Sequence, residues 1–164
     1  MTATAFAIVT AGTPQDVGAV AILFREYAAS IGVDLAYQGF EAELAALPGQ
    51  YAPPGGTLLL ARHADGQALG CVAIRRRQDG VAEMKRLYVS PAARGLGLGR
   101  GLLQAAIAAA VAMGYRELRL DTLPTMGEAI ALYRKAGFIP VAPYYDGAVA
   151  GTLYFARDLT AGVT

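Results

Sequence analysis

Four glycines at alternate positions interrupt the run Ser90-Pro91-Ala92-Ala93-Arg94-Gly95-Leu96-Gly97-Leu98-Gly99-Arg100-Gly101-Leu102-Leu103-Gln104, between a strand-like segment and a long apolar, alanine-rich one. Glycine loses more freedom on ordering than any other residue, so a cluster of this kind needs a reason. Side chains missing at 95, 97 and 99 let backbone N–H groups converge on an anion at a helix N-terminus, where the helix dipole adds partial positive charge. Arg94 and Arg100 supply counter-charge. Two common nucleotide loops are excluded. A P-loop needs a lysine after its second glycine, and none follows. A dinucleotide fingerprint needs glycines at i, i+2 and i+5, but the third position is Arg100 counting from Gly95 and Leu102 counting from Gly97. What remains is strand, glycine loop, helix, which reads as a phosphate site, the alternative being a plain flexible loop.

The rest of the chain supplies the other layers of an α/β domain. Thr4 to Thr10 reads as a first strand, and Thr13-Pro14 as an N-cap and first helical position for a helix over 14–31. A short helix over 40–47 stops at Pro48-Gly49. Strands over 57–63 and 68–76 flank Asp65-Gly66, a hairpin signal, and Asp79-Gly80 turns into a third over 81–89. After the glycine loop come a helix over 98–112, a strand over 117–123, a helix over 126–136, and strands over 139–141 and 152–159. The expected fold is a single α/β (α+β) domain over 1–164: a mixed, mostly antiparallel sheet of six to seven strands flanked by four helices.

Composition excludes several classes of function. Fourteen basic and 13 acidic side chains leave a net charge of +1 with no basic stripe, so nucleic acid is not an expected partner. Arg75-Arg76-Arg77 reads as a solvated strand end. One cysteine, Cys71, sits in a buried-strand pattern and permits neither an internal disulfide nor a cysteine metal site, so no metal is expected. Of the two serines, Ser30 and Ser90, neither stands in a Gly-x-Ser-x-Gly elbow, and the single histidine, His63, reads as structural. No leader pattern and no apolar run of membrane length are present, which makes a cytoplasmic protein the expectation.

Arg94-Gly95-Leu96-Gly97-Leu98-Gly99 resembles the Arg/Gln-x-x-Gly-x-Gly/Ala motif of the GNAT superfamily of N-acetyltransferases. Downstream, Ala129-Ile130-Ala131-Leu132-Tyr133-Arg134-Lys135-Ala136-Gly137-Phe138 is similar to that family's Ala-x-x-Leu-Tyr-x-x-x-Gly-Phe segment, with one helix and one strand between the two motifs. The resemblance implies a sheet splayed at the cofactor site and a donor of acetyl-CoA or another short acyl-CoA. It also implies direct transfer to a primary amine of a small or amino-acid-like molecule. Arg94, Gly95, Leu96, Gly97, Leu98, Gly99 and Arg100 would hold the pyrophosphate, and Leu87 and Val89 would offer backbone to pantetheine. A homodimer is the family's expectation. Two other readings stay open: a non-catalytic acyl-CoA-binding module, and an enzyme acting on a protein or peptide amine.

Acyl transfer to an amine needs a proton acceptor, and a proton donor for the leaving thiolate. By resemblance Tyr133 is that donor; the alternative is a core aromatic. Glu83, six residues before Val89, is either a base or an ion-pair partner of Lys85. Strand alternation puts Glu83, Lys85, Leu87 and Val89 on one face. Asp121, on the neighbouring strand, is a further candidate base. Many family members carry asparagine seven residues before the tyrosine; here it is Met126, so a side-chain amide contact at that place is not implied. Fold analogy nominates Asp34, Tyr37, Gln38, Tyr51, Asp121, Tyr144, Tyr145 and Asp146 around the acceptor.

Overall fold

The structure, a computed structural model, describes residues 6–32, 39–146 and 148–160. Strand β1 (Phe6–Thr10) leads to helix α1 (Pro14–Ile31), opened by Thr13, whose side chain accepts the Asp16 N–H at 3.1 Å. Helix α2 (Phe40–Ala46) and a single 3-10 turn over Gly49–Tyr51 follow. The meander β2 (Thr57–His63), β3 (Ala68–Gln78) and β4 (Val81–Val89) comes next, with both predicted turns in place. The chain closes with α3 (Leu98–Ala112), β5 (Glu117–Thr122), α4 (Gly127–Lys135), β6 (Ile139–Pro140) and β7 (Leu153–Asp158). Residues 1–5, where the predicted first strand begins, lie outside the described residues.

The seven strands form one sheet in the order β1-β2-β3-β4-β5-β7-β6. Every pair is antiparallel except β4 with β5, which α3 joins by a crossover. Two cores sandwich the sheet. On one face the α3 stripe Leu98, Leu102, Leu103, Ala106 and Ala110 packs with Val72, Ile74, Leu118, Leu120 and Phe155. On the other, Val20, Leu23 and Phe24 of α1 and Phe40 and Leu44 of α2 cover Leu58, Leu60, Cys71 and Ala73. Burying each leucine or phenylalanine contributes about 1.5–3 kcal/mol, so both helix layers are fastened by their own stripes.

β4 corrects one expectation. Cys71 pairs with Tyr88 but Ala73 with Lys85, so β4 carries one residue more than β3 across this step. The extra residue is a bulge at Arg86, a non-glycine residue at φ 61°. Past a bulge the in–out alternation reverses. Met84 therefore faces the α3 core, and Leu87 and Val89 pack there too, whereas Glu83 and Arg86 lie on the face of α1 and α2 with Tyr88. Glu83 and Val89 do not share a face. Gly70 of β3 lies opposite this distortion, and a Cβ there would stand 2.7 Å from the Tyr88 carbonyl oxygen, so only glycine fits.

The arginine run is also corrected. Arg76 is exposed and pairs with Asp79, but Arg75 and Arg77 are half-buried on the opposite side, as strand alternation requires.

Candidate active site

β4 and β5 pair only from Val81/Glu117 to Glu83/Arg119. Beyond that the bulge turns β4 away, while β5 stays in its ladder with β7 up to Thr122/Leu153. The two strands splay, and the β5-facing edge of β4 is left open. In the wedge lies a cavity of about 30 Å³, walled by Met84, Lys85, Leu120, Asp121 and Tyr133 with Tyr27 above. It shares Tyr27, Ile31, Leu87 and Met126 with a larger cleft of about 740 Å³, which runs along Val89 to the glycine loop.

At the loop, Gly95 (φ 86°) and Gly97 (φ 79°) adopt left-handed backbone that side chains disfavour. Gly97 caps α3 without a side-chain acceptor, so the first-turn amides stay unpaired. Among the described residues the amides of 95 through 100 make no backbone hydrogen bond. A Cβ at 95 or 97 would meet nothing within 4 Å, because these positions open into the cleft. Arg94 is exposed and its Nε donates to the Val89 carbonyl at 3.3 Å, while Arg100 is exposed in the first turn of α3. Leu98 is buried beneath the loop and Leu96 is exposed on it.

Tyr133, buried on α4, stacks tilted against Phe138 and Phe155 and presents to the wedge. Burial, reinforced by Tyr27 and Asp121, pushes its pKa up, so the phenol keeps its proton at neutral pH. Met126 caps α4 and its Sδ lies 3.6 Å from Thr122 Oγ1, occupying the wall between wedge and cleft.

Two carboxylates mark the base of the splay, one on each strand. Glu83 is fully buried, and its Oε1 accepts two N–H groups of Arg75 at 2.8 and 2.6 Å. Its ion-pair partner is thus Arg75, directly across β3, and not Lys85. Lys85 lies 3.7 Å from Asp121 instead. Burial lowers the Lys85 pKa, opposed by Asp121 and Glu83. Two consecutive tyrosines then tie the strands together: the Tyr144 hydroxyl donates to Glu83 Oε2 at 2.9 Å, and the Tyr145 hydroxyl donates to Asp121 Oδ2. Tyr144, Tyr145 and Tyr154 pack edge to face, and Arg77 and Arg119 stack on the Tyr144 ring.

Of the residues nominated around the acceptor, Asp121, Tyr144 and Tyr145 are brought together here. Tyr51 is buried in the second core against Phe24, its hydroxyl near Glu43 and Arg86 rather than in the wedge. Asp34, Tyr37 and Gln38 lie outside the described residues. Arg75, Lys85 and Tyr154 join them here without a local sequence signal for these roles. The turn at Asp79-Gly80 alone would set Arg76 opposite Glu83; an irregularity between Arg76 and Gln78 shifts the register by one and brings Arg75 there, so that pair was not legible in the sequence.

A sequence profile of the acetyltransferase (GNAT) family matches residues 23–138. An uncharacterised N-acetyltransferase of Schizosaccharomyces pombe is 40% identical over 148 residues, covering 90% of this chain and 91% of that one. A GNAT-family acetyltransferase from Staphylococcus aureus superposes with a TM-score of 0.80 at 18% identity, over 95% of this chain and 100% of that one. A Salmonella typhimurium protein solved with its cofactor acetyl-CoA superposes with a TM-score of 0.73 at 21% identity, over 98% and 97% of the two chains.

Proposed function

The chain belongs to the GNAT family of acetyltransferases and is an acetyl-CoA-dependent N-acyltransferase, and from that premise we propose that its acceptor is the primary amine of a small or amino-acid-like molecule. The observation that carries the reading is the wedge between β4 and β5, a narrow enclosed space with the protonated phenol of Tyr133 on its wall.

The residues present fit the donor. The unpaired amides of 95 through 100, the open space over Gly95 and Gly97, and the exposed guanidinium groups of Arg94 and Arg100 suit a diphosphate. The open edge of β4 at Leu87 and Val89 offers backbone groups to an amide-bearing arm. Acetyl-CoA supplies an activated acyl thioester. Around it the protein excludes water with Leu120, Met84 and Met126, and it orients the acceptor against the base of the wedge. Tyr133 holds its proton at Oη until the sulfur departs and then delivers it to the thiolate; its upward-shifted pKa keeps the phenol protonated until that moment.

On the acceptor side, the Tyr144–Tyr145–Tyr154 rings beside buried ion pairs make a compact wall that suits a small amine. The test is thiol release from acetyl-CoA with a panel of primary alkylamines, arylalkylamines and α-amino acids, with product masses checked. At least one small amine is expected to accelerate release well above hydrolysis. Acceleration by peptide amines alone would overturn the assignment of acceptor.

A further inference from the structure

We propose that Asp121 is the group that takes up the proton of the acceptor amine, while Glu83 is committed to holding Tyr144. The proposal rests on the reading that acyl transfer takes place in the wedge.

Reach separates the two carboxylates first. Asp121 lines the wedge with Tyr133, whereas Glu83 is absent from its lining and fully buried. Asp121 sits on the stretch of β5 that has left β4, its backbone fixed by the ladder to Tyr154 of β7.

The neighbouring cations separate them again. Glu83 Oε1 is engaged twice by Arg75, and a guanidinium does not release its proton in a protein. Protonating Glu83 would strand that half-buried charge and weaken the Tyr144 contact. Asp121 faces a lysine. Its Oδ2 accepts the Tyr145 O–H, and its Oδ1 stands 3.7 Å from Lys85 Nζ, beyond hydrogen-bond length. Protonating Asp121 beside a charged Lys85 would leave the ammonium facing a neutral acid; Lys85, whose pKa burial lowers, relieves that by releasing its own proton to solvent through the cleft, which an arginine cannot do. The groups around Asp121 are Lys85 and Glu83 from β4, Tyr133 from α4, Tyr27 from α1, Tyr144 and Tyr145 from the β6–β7 loop, and Tyr154 across the ladder.

The step balances. The amine nitrogen forms its bond to the acyl carbon as the carbon–sulfur bond breaks. The proton leaving nitrogen goes to Asp121 Oδ1, and the sulfur receives the Tyr133 proton. The proton gained at Asp121 restores Tyr133, whose titration already senses Asp121.

Asp121→Asn and Glu83→Gln are compared by the pH profile of kcat with the fastest amine of the panel, by acetyl-CoA affinity from calorimetry, and by melting. Asp121→Asn is expected to lose kcat by roughly 100-fold or more and to lose the acidic limb, with acetyl-CoA affinity within about twofold of wild type. Glu83→Gln is expected to keep the acidic limb, lose less than about tenfold in kcat, and melt lower. Asp121→Glu, which keeps a carboxylate, should keep the limb at reduced kcat, and it serves if the asparagine variant fails to fold. An acidic limb retained in Asp121→Asn, or lost in Asp121→Glu or in Glu83→Gln, overturns the assignment. A wild-type chain that binds no acetyl-CoA overturns the underlying reading of the wedge, and this proposal with it.

Discussion

Replacing Gly97 by alanine tests the glycine loop in a way that separates backbone from packing. Gly97 caps α3 at φ 79° and ψ 13°, in the left-handed region. An L-residue there costs about 1–2 kcal/mol. A Cβ at this position meets nothing within 4 Å, so no clash adds to that figure and no contact offsets it. For a chain of this length 1 kcal/mol moves the melting temperature by about 2–4 °C, which gives an expected drop of about 2–8 °C. Gly99 is the control. It lies inside α3, where alanine is favoured over glycine by about 0.5–1 kcal/mol. Its Cβ would stand 3.3 Å from Leu132 Cδ1, the mobile end of a side chain that can yield by a few tenths of an ångström. Gly99→Ala should therefore melt within about 2 °C of wild type. The alanine methyl at 97 would project into the cleft and re-aim the neighbouring amides, so acetyl-CoA affinity should fall by about tenfold, roughly 1.4 kcal/mol. Scanning fluorimetry with and without acetyl-CoA, and calorimetric titration, read both effects. A Gly97→Ala chain that melts and binds like wild type refutes the loop argument. A Gly99→Ala chain that melts below it refutes the assignment of the cost to backbone strain.

Arg94→Ala should weaken acetyl-CoA by about 10- to 100-fold, and the loss should shrink at high salt because the guanidinium is exposed; titrations at two ionic strengths check this. Arg75→Met leaves the fully buried Glu83 charge unpaired and should cost about 3–5 kcal/mol in urea unfolding. The Arg75→Met/Glu83→Gln double variant should recover part of that, and strict additivity would argue against the pair. Tyr133→Phe should lower kcat by about 10²–10⁴ with acetyl-CoA affinity nearly unchanged. The same variant has a signature in stability. The folded phenol holds its proton above the ordinary value of 10.0, so the native state is favoured below that pH and loses ground as pH rises past it. Denaturant melts above pH 10 should show a shallower alkaline decline in Tyr133→Phe than in wild type.

Local pattern carries far in this chain. Apolar spacing, Thr13-Pro14 and the turn pairs Asp65-Gly66 and Asp79-Gly80 place α1, β2 and α3 at the predicted residues, because each signal acts within one turn or one strand. The glycine spacing predicts an anion cradle for the same reason: the amides that form it are adjacent in the chain. Where an element ends by tertiary contact, the boundaries move. β3 runs two residues past Arg76, because the turn into β4 keeps Gln78 paired with Val81.

What escaped the sequence is side chains meeting across long stretches of chain. The bulge at Arg86 has no glycine or proline to announce it, and it reverses which face Leu87 and Val89 occupy relative to Glu83. Tyr144 reaches Glu83 across 61 positions, and Tyr145 reaches Asp121 across 24. The sequence by itself determined the element order, the glycine loop at the start of α3 and the position of Tyr133. Which carboxylate faces the wedge between β4 and β5, and which is bound into the wall, was decided only by the tertiary structure. That division depends on the direction in which β4 and β5 part and on the cation each carboxylate meets there, and neither is encoded in a local run of residues.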